Sequence, residues 1–290
     1  MSGQNFTNFC GRTVGRFDVL EQLGSGGFGI VYRAVCDGKE YALKCILRGA
    51  PGTRESECFQ REWGASLRLD THPGIVRAHA YFSHHCYIFL VFDLFTGGDL
   101  FTNVIEKFTY YRDDALVKKA FLSLLDAVEH CHAQGVFHQD IKLENVLCSA
   151  DGSQLSLADF GLATDQEHSI DYGVGSIDYK SPESLREAEG GLIFSVRRLD
   201  LWALGILLLN MISCRSPWDE AHADHPAYLS FRSDPQQYLR GYLPISDEAV
   251  SFFARVFALD PWQRPSLAEM RSAVMNMKRF YMTDEEFVKA

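Results

Sequence analysis

The chain has 290 residues, enough for one large domain or two modest lobes sharing an interface. Hydrophobic residues make up 47% and charged residues 23%, which excludes wholesale disorder and a fibrous repeat. Lys+Arg 28 against Asp+Glu 38 leaves a net charge of −10. A body that acidic repels phosphate backbones, and no local basic patch offsets it, so nucleic acid is not an expected partner.

In chain order, the first third reads as strands. Phe17, Val19, Leu20 and Leu23 lead into a glycine cluster, and Ile30 to Val35 leave it. Asp37-Gly38 is a two-residue hairpin signal, after which Tyr41 to Leu47 return as a third antiparallel strand. Residues 55–69 have a helical apolar face from Phe59, Trp63, Leu67 and Leu69, and two more strands are expected near 76–82 and 87–92. After Thr96-Gly97-Gly98-Asp99 the character changes. From Asp114 to Gln134, Val117, Phe121, Leu124, Val128 and Cys131 recur at amphipathic-helix spacing, with Asp113 as cap and Gly135 as stop. The remainder reads as mostly helical, with loops around 138–185 and 215–245 and a frayed acidic tail at 283–287. The fold class is therefore α+β: a small sheet-rich lobe, about 17–92, joined near 93–95 to a larger helical lobe, about 96–282.

No basic n-region precedes an apolar stretch in MSGQNFTNFC, position 2 is Ser, and Leu199–Ile212 is broken by Asp200, Gly205 and Asn210. Neither a secretory signal, a myristoyl anchor nor a membrane span is expected. The eight cysteines form no C-x-x-C, and His84-His85-Cys86 and His130-Cys131-His132 lack a second ligand pair at zinc-finger spacing. Reduced thiols in the cytoplasm or nucleus fit this usage.

Gly24-Ser25-Gly26-Gly27-Phe28-Gly29-Ile30-Val31 fits G-x-G-x-x-G-x-V, a loop whose bare backbone can close over phosphate oxygens. Alone it is a weak signal, and a glycine hairpin without ligand is the plain alternative; a dinucleotide-binding turn would feed a helix, whereas Ile30 opens a strand. Lys44 lies inside an apolar strand. Its bland placement is the solvated face of the sheet, an exposed position that tolerates substitution; its sharper one is a fixed cation for phosphate, held by a carboxylate on the next helix. Glu62 is the best candidate for that carboxylate, with Glu55 and Glu57 as substitutes. Further on, His138-Gln139-Asp140-Ile141-Lys142-Leu143-Glu144-Asn145 is followed by Asp159-Phe160-Gly161. Phosphoryl transfer needs a carboxylate beside the acceptor hydroxyl, cations on the transferring group and oxygen ligands for magnesium. Asp140 can serve as the first, Lys142 as a cation, and Asn145 with Asp159 as Mg²⁺ ligands.

From about Phe17 to about Tyr281 the chain resembles a eukaryotic protein kinase of serine/threonine type, with the bilobal kinase fold that this implies. Ser181-Pro182-Glu183 resembles the Ala-Pro-Glu that closes the activation segment, Asp200 to Gly205 the start of the large lobe's central helix, and Arg264 the arginine that pairs with Glu183. The resemblance implies ATP and Mg²⁺ as cofactors and protein substrates as partners. It makes Asp140, Lys142, Lys44 and Glu62 the catalytic set and Asn145 and Asp159 the metal ligands. It lines the nucleotide site with Gly24, Gly26, Gly27, Gly29, Val31, Ala42 and Lys44, with Phe92 as gatekeeper and Asp93-Leu94-Phe95 as the adenine-binding hinge. Asp99 falls near the ribose, and Val31, Ala42 and Leu147 sandwich the purine. Ser176 resembles the hydroxyl residue that buttresses Asp140 and Lys142, and Leu162 the large apolar residue associated with serine over threonine. Glu144 sits where some relatives contact a basic residue before the acceptor. The stretch Gly135–Glu183 and Leu243-Pro244-Ile245-Ser246 resemble fungal kinases that restrain meiosis or respond to nutrients.

Two departures stand out. Gln139 occupies the usual arginine position that receives an activation-loop phosphate, which argues against a phosphorylation-triggered switch at Ser169, Tyr172 or Ser176. Leu143 replaces a frequent proline. An active kinase, an ATP-binding pseudokinase scaffold and a small-molecule phosphotransferase of related fold are the competing readings; Lys44, Asp140, Asn145 and Asp159 are all present, which favours the first.

Overall fold

A computed structural model of the chain describes residues 7–27, 29–69, 72–185 and 193–289. Phe28, in the glycine loop, lies outside them, as do residues 1–6.

The first lobe is a six-stranded antiparallel sheet with one helix. β1 (Thr13–Val14), β2 (Phe17–Gly26), β3 (Gly29–Cys36) and β4 (Lys39–Leu47) follow one another, then α1 (Arg54–Arg68), β5 (Ala78–His84) and β6 (Tyr87–Asp93). The strand order is β1-β2-β3-β4-β6-β5. Asp37 and Gly38 both adopt positive φ, at 53° and 76°, so the Asp-Gly pair makes the tight β3–β4 turn expected of it. Thr53 caps α1 by accepting from the Ser56 amide.

Side chains alternate across the pleat. Leu43, Cys45, Phe89 and Val91 point to an outer cluster with Phe17, Val19 and Tyr32. Ile46, Ile88, Leu90 and Phe92 point to an inner cluster with Val76 and Ala78, against which Ala42, Phe59 and Trp63 of the α1 side pack. The outer face is not left to solvent. Phe9 is buried there, its ring edge-on to Tyr32, Tyr87 and Phe89 at 5.2–6.2 Å. The Gly11 amide donates to Val19 O and the Val19 amide to Arg12 O, both at 2.9 Å, so residues 7–14 form a strap over the sheet.

The second lobe contains α2 (Asp114–Ala133), β7 (Val146–Cys148), β8 (Leu155–Leu157), β9 (His168–Ser169), α3 (Pro182–Leu185), β10 (Phe194–Ser195), α4 (Val196–Ser213), α5 (Pro226–Ser233), α6 (Pro235–Tyr242), α7 (Asp247–Val256), α8 (Leu267–Asn276) and α9 (Asp284–Lys289). Asp113 caps α2 by accepting from the Leu116 amide, and Gly135 follows its end with φ 64°. α4 is buried over most of its length and runs through the largest apolar cluster. The lobes are tied beside the hinge by reciprocal backbone bonds, Val76 N to Leu157 O at 2.9 Å and Leu157 N to Gly74 O at 2.8 Å.

Two expectations are corrected. The stretch 215–245 holds two short helices, α5 and α6; Pro226 and Pro235 each occupy a first helical position, where a missing N–H costs nothing. The acidic tail is helical as α9, Thr283 and Glu286 capping each other's backbone amides.

Candidate active site

The site is assembled from the inner face of the sheet, α1, and the two loops that flank β7 and β8. The β3–β4 register pairs Val31 with Lys44, and the β4–β6 register pairs Ala42 with Phe92, so residues far apart in sequence share one surface. Lys44 is not on a solvated face. The pleat that sends Leu43 and Cys45 outward sends Lys44 inward beneath α1, where the residue is 9% exposed. Its ammonium donates to Glu62 Oε2 at 2.9 Å and to Asp159 Oδ1 at 2.8 Å. Glu62 is thus the carboxylate on the helix; Glu57 pairs with Arg61 instead, and Glu55 lies in the helix's first turn.

Burial would push Lys44 down, but Asp159 and Glu62 outweigh it and lift its proton affinity above that of a free lysine. Burial pushes the Glu62 carboxyl up against the pull of Lys44. Asp159 is half-buried, and although desolvation pushes its carboxyl up, Lys44 and its hydrogen bonds hold it below the ordinary carboxylate range. One cation therefore serves two carboxylates from different lobes, and Asp159 carries the firmer negative charge.

The catalytic-loop residues form the second half. Asn145 donates through Nδ2 to Asp140 O at 2.8 Å and Asp140 Oδ2 at 3.0 Å. Asp140 Oδ2 also takes Lys142 Nζ at 3.0 Å, while Oδ1 accepts from the Ser176 amide at 2.9 Å and its hydroxyl at 2.8 Å. Lys142 donates to Ser176 Oγ at 2.8 Å, closing a triangle of Asp140, Lys142 and Ser176. The two halves meet where the Ala158 amide, next to Asp159, donates to Asn145 O at 2.8 Å.

The remaining nucleotide-site candidates surround this network. Ala42, Leu147, Phe95 and Ala158 pack with Phe92, and Leu147 bridges Asp99 through the backbone. Asp99 caps the following turn, its Oδ1 accepting from the Thr102 amide at 2.6 Å. Asp93 is exposed at the end of β6, paired with Lys39 at 3.2 Å and His79 at 2.8 Å. A Cβ added at Gly24, Gly26 or Gly27 would meet nothing within 4 Å among the described residues, so none of them crowds these three glycines. Gly29 differs: its φ is 140° and a Cβ would lie 2.2 Å from Cys45 O.

Sequence reasoning missed the group that holds the catalytic loop. Asp200, in the first turns of α4, accepts from the His138 amide at 3.0 Å, the Gln139 amide at 2.9 Å and His132 Nε2 at 2.9 Å. It is 1% exposed. The signal was a carboxylate interrupting an apolar run, which served to argue against a membrane span and to mark the start of the central helix, but not to find its partners in the catalytic loop. Gln139 adopts φ 65° and donates through Nε2 to Leu162 O at 2.8 Å. Glu183 and Arg264 pair as foreseen, in a bidentate contact of 2.6 and 2.8 Å.

With this geometry in place the comparisons are unambiguous. Residues 17–275 match the model of the protein kinase domain. The chain belongs to the protein kinase family. It is 35% identical over 277 residues to the negative regulator of sexual conjugation and meiosis of Schizosaccharomyces pombe, covering 88% of this chain and 59% of that protein. It is 31% identical over 283 residues to the serine/threonine-protein kinase ksp1 of the same yeast, covering 93% and 58%. To the calcium/calmodulin-dependent protein kinase type II alpha chain of Drosophila melanogaster it is 34% identical over 269 residues, covering 90% and 49%. This kinase-family chain thus spans roughly half to three fifths of the length of the curated relatives it matches.

Proposed function

We propose that this kinase-family chain is an active protein serine/threonine kinase, moving the γ-phosphoryl of Mg-ATP to a Ser or Thr hydroxyl of protein substrates in the cytoplasm or nucleus. The observation that carries this is the unbroken network Glu62–Lys44–Asp159–Ala158–Asn145–Asp140–Lys142–Ser176, which joins both lobes without a missing polar part. The eight cysteines, all free, support a reducing compartment.

The oxygens fit magnesium. Lys44 and the Gly161 amide both reach Asp159 Oδ1, and Asn145 spends its Nδ2 on Asp140, so among the described residues no N–H donates to Asp159 Oδ2 or Asn145 Oδ1. Among the described residues no three His, Cys, Asp or Glu side chains form a metal cage. A cation that keeps water and phosphate ligands needs only one or two protein oxygens. Bound there, magnesium would neutralise charge on the β- and γ-phosphoryl oxygens.

The chain's own groups do the rest. Asp140 accepts three hydrogen bonds on its two oxygens and holds the Lys142 ammonium in an ion pair, which together crowd the acceptor sites of a carboxylate. The incoming hydroxyl needs one of those places, and Lys142, with a side chain 21% exposed, is the partner with room to leave. Released, it can follow the negative charge of the transferring group while Asp140 takes the hydroxyl proton. The new O–P bond then forms as the bond to the nucleoside diphosphate breaks. Exposed Glu144, on the same loop, suits Arg or Lys upstream of the acceptor.

Activation-segment phosphate is not required in this reading. A cavity of about 390 Å³ between α1 and the segment is lined by Arg61, Gln139, His168 and Ser169 among others. Among the described residues of that lining Arg61 is the one Lys or Arg, and it pairs with Glu57 at 3.4 Å. A doubly charged phosphate would find one shared arginine and a glutamine already committed to Leu162.

The test is phosphate transfer from Mg-ATP to a peptide library by phosphatase-treated protein, with Asp140→Asn as control. Loss of about 10²-fold or more in turnover is expected in the variant. Equal rates for the two proteins would leave an ATP-binding scaffold as the reading.

A further inference from the structure

If no phosphate orders the activation segment, something else must. Three features of one short stretch, residues 194–197, bear on this. β10 pairs antiparallel with β9, Phe194 opposite Ser169 and Ser195 opposite His168. The Val196 amide extends the ladder by donating to Glu167 O at 2.8 Å. Arg197 Nε lies 2.9 Å from Glu167 Oε1, and its guanidinium sits 5.0 Å from the ring centroid of Phe137, just before the catalytic loop.

Apolar contacts complete the grip. Phe194 and Val196 are buried with Phe137, and the Tyr172 ring lies 5.3 Å from that of Phe194. Lys180 reaches back to Tyr172 O at 2.6 Å, which holds the far side of the same loop. Phe137 and Thr164 exchange backbone bonds at 2.9 Å, so the stretch, the segment and the catalytic loop's entry are in mutual contact.

The position of this stretch gives the contacts their consequence. Val196 and Arg197 open α4, and one turn later Asp200 holds the His138 and Gln139 amides. A single rigid element, anchored in the largest apolar cluster, therefore grips the activation segment and the catalytic loop with adjacent turns. Ser176 must lie against Asp140 and Lys142 to within hydrogen-bond length, and a common anchor sets the distance between the two loops.

We propose that Phe194, Ser195, Val196 and Arg197 are a built-in staple that positions the activation segment for phosphoryl transfer without a phosphate. The inference rests on the active-kinase reading and names what replaces the phosphate in it. These are positioning residues; none belongs to the Asp140, Lys142 and Lys44 set.

Two variants of the full chain test it. Val196→Pro removes the amide that bonds Glu167 O, at a first helical position where proline is accepted and after Ser195, whose φ −84° and ψ 118° suit a residue before proline. Arg197→Ala removes the ion pair from a side chain 37% exposed, so folding does not depend on it. Hydrogen exchange and steady-state kinetics are read on phosphatase-treated protein. Amides of 167–169 should exchange about tenfold faster or more in both variants. KM for peptide should rise about tenfold with KM for ATP unchanged, and Arg197→Lys should restore part of it. Wild-type exchange at 167–169 in Arg197→Ala and Val196→Pro overturns the staple, as does faster exchange with unchanged peptide KM. If Val196→Pro fails to fold, Arg197→Ala decides alone. If the treated wild type transfers no phosphate, the active-kinase reading falls; exchange at 167–169 then decides the staple by itself.

Discussion

Removing Glu183 should cost this protein as much stability as removing any single residue of the nucleotide site. The Arg264 side chain is 0% exposed, with Glu183 across from it at 18%. Both terminal nitrogens are bonded to Glu183, Nε donates to Ala258 O at 3.0 Å, and the guanidinium lies 4.6 Å from the Trp202 ring centroid. Glu183→Ala strips two charge-assisted bonds at once from a cation that cannot shed its proton. Breaking one side of such a buried pair costs about 3–5 kcal/mol, against a total stability of roughly 5–15 kcal/mol for a typical domain. At about 2–4 °C per kcal/mol, the melting temperature should fall by roughly 6–20 °C. Urea titration should show a lower midpoint with an unchanged slope, because the same surface is exposed on unfolding. The double variant Glu183→Gln with Arg264→Met should recover most of the loss, since no buried charge is left unpaired. A melting temperature within about 2 °C of wild type for Glu183→Ala alone would refute the reasoning.

Other substitutions separate packing from chemistry. Lys44→Met should abolish transfer and also destabilise, by about 3–5 kcal/mol at neutral pH, because Glu62 and Asp159 are left without their cation. Burial already raises the proton affinity of Glu62 in the folded chain, so the variant binds a proton more tightly folded than unfolded; its deficit should shrink as pH falls to about 5, and a flat deficit in urea titrations across that range would contradict this. Ser181→Ala should be neutral or stabilising by up to about 1 kcal/mol in thermal unfolding, since the Ser181 hydroxyl is fully buried and finds no hydrogen-bond partner among the described residues. Gly175→Ala should lose transfer while Gly173→Ala keeps it: Gly175 has φ 89° and its Cβ would lie 2.6 Å from Gln139 O, forcing Ser176 off Asp140, and equal activities in a peptide assay would count against it.

How much of this was legible varies with the kind of signal. The glycine loop and the 138–145 and 159–161 motifs are contiguous, and their spacing alone grouped Lys44, Asp140, Asn145 and Asp159 in one site. Local chemistry was equally readable at Asp37-Gly38 and at Asp113, where turn and cap need nothing beyond four residues. Lys44 shows the limit. Alternation puts it on one face of β4, but only the placement of α1 and Asp159, from two other regions, decides that this face is buried. The same applies to Asp200 and to Arg197, whose partners lie 61–68 and 30 positions away. Over 215–245, Pro226 and Pro235 begin helices, and because proline breaks and begins helices alike its presence does not separate a loop from two short helices. Gln139 could be read for what it lacks, whereas its bond to Leu162 O needed coordinates.

The aromatic socket around Phe9 has a practical side. The matched family span begins at Phe17, so a fragment trimmed to that boundary would lose the plug and keep the hole. Tyr32, Tyr87 and Phe89 would then be bared together on one flank of the molecule, a sticky patch of the sort that draws copies of a chain into clumps. Poor yield from such a shortened version would say nothing against the enzyme itself.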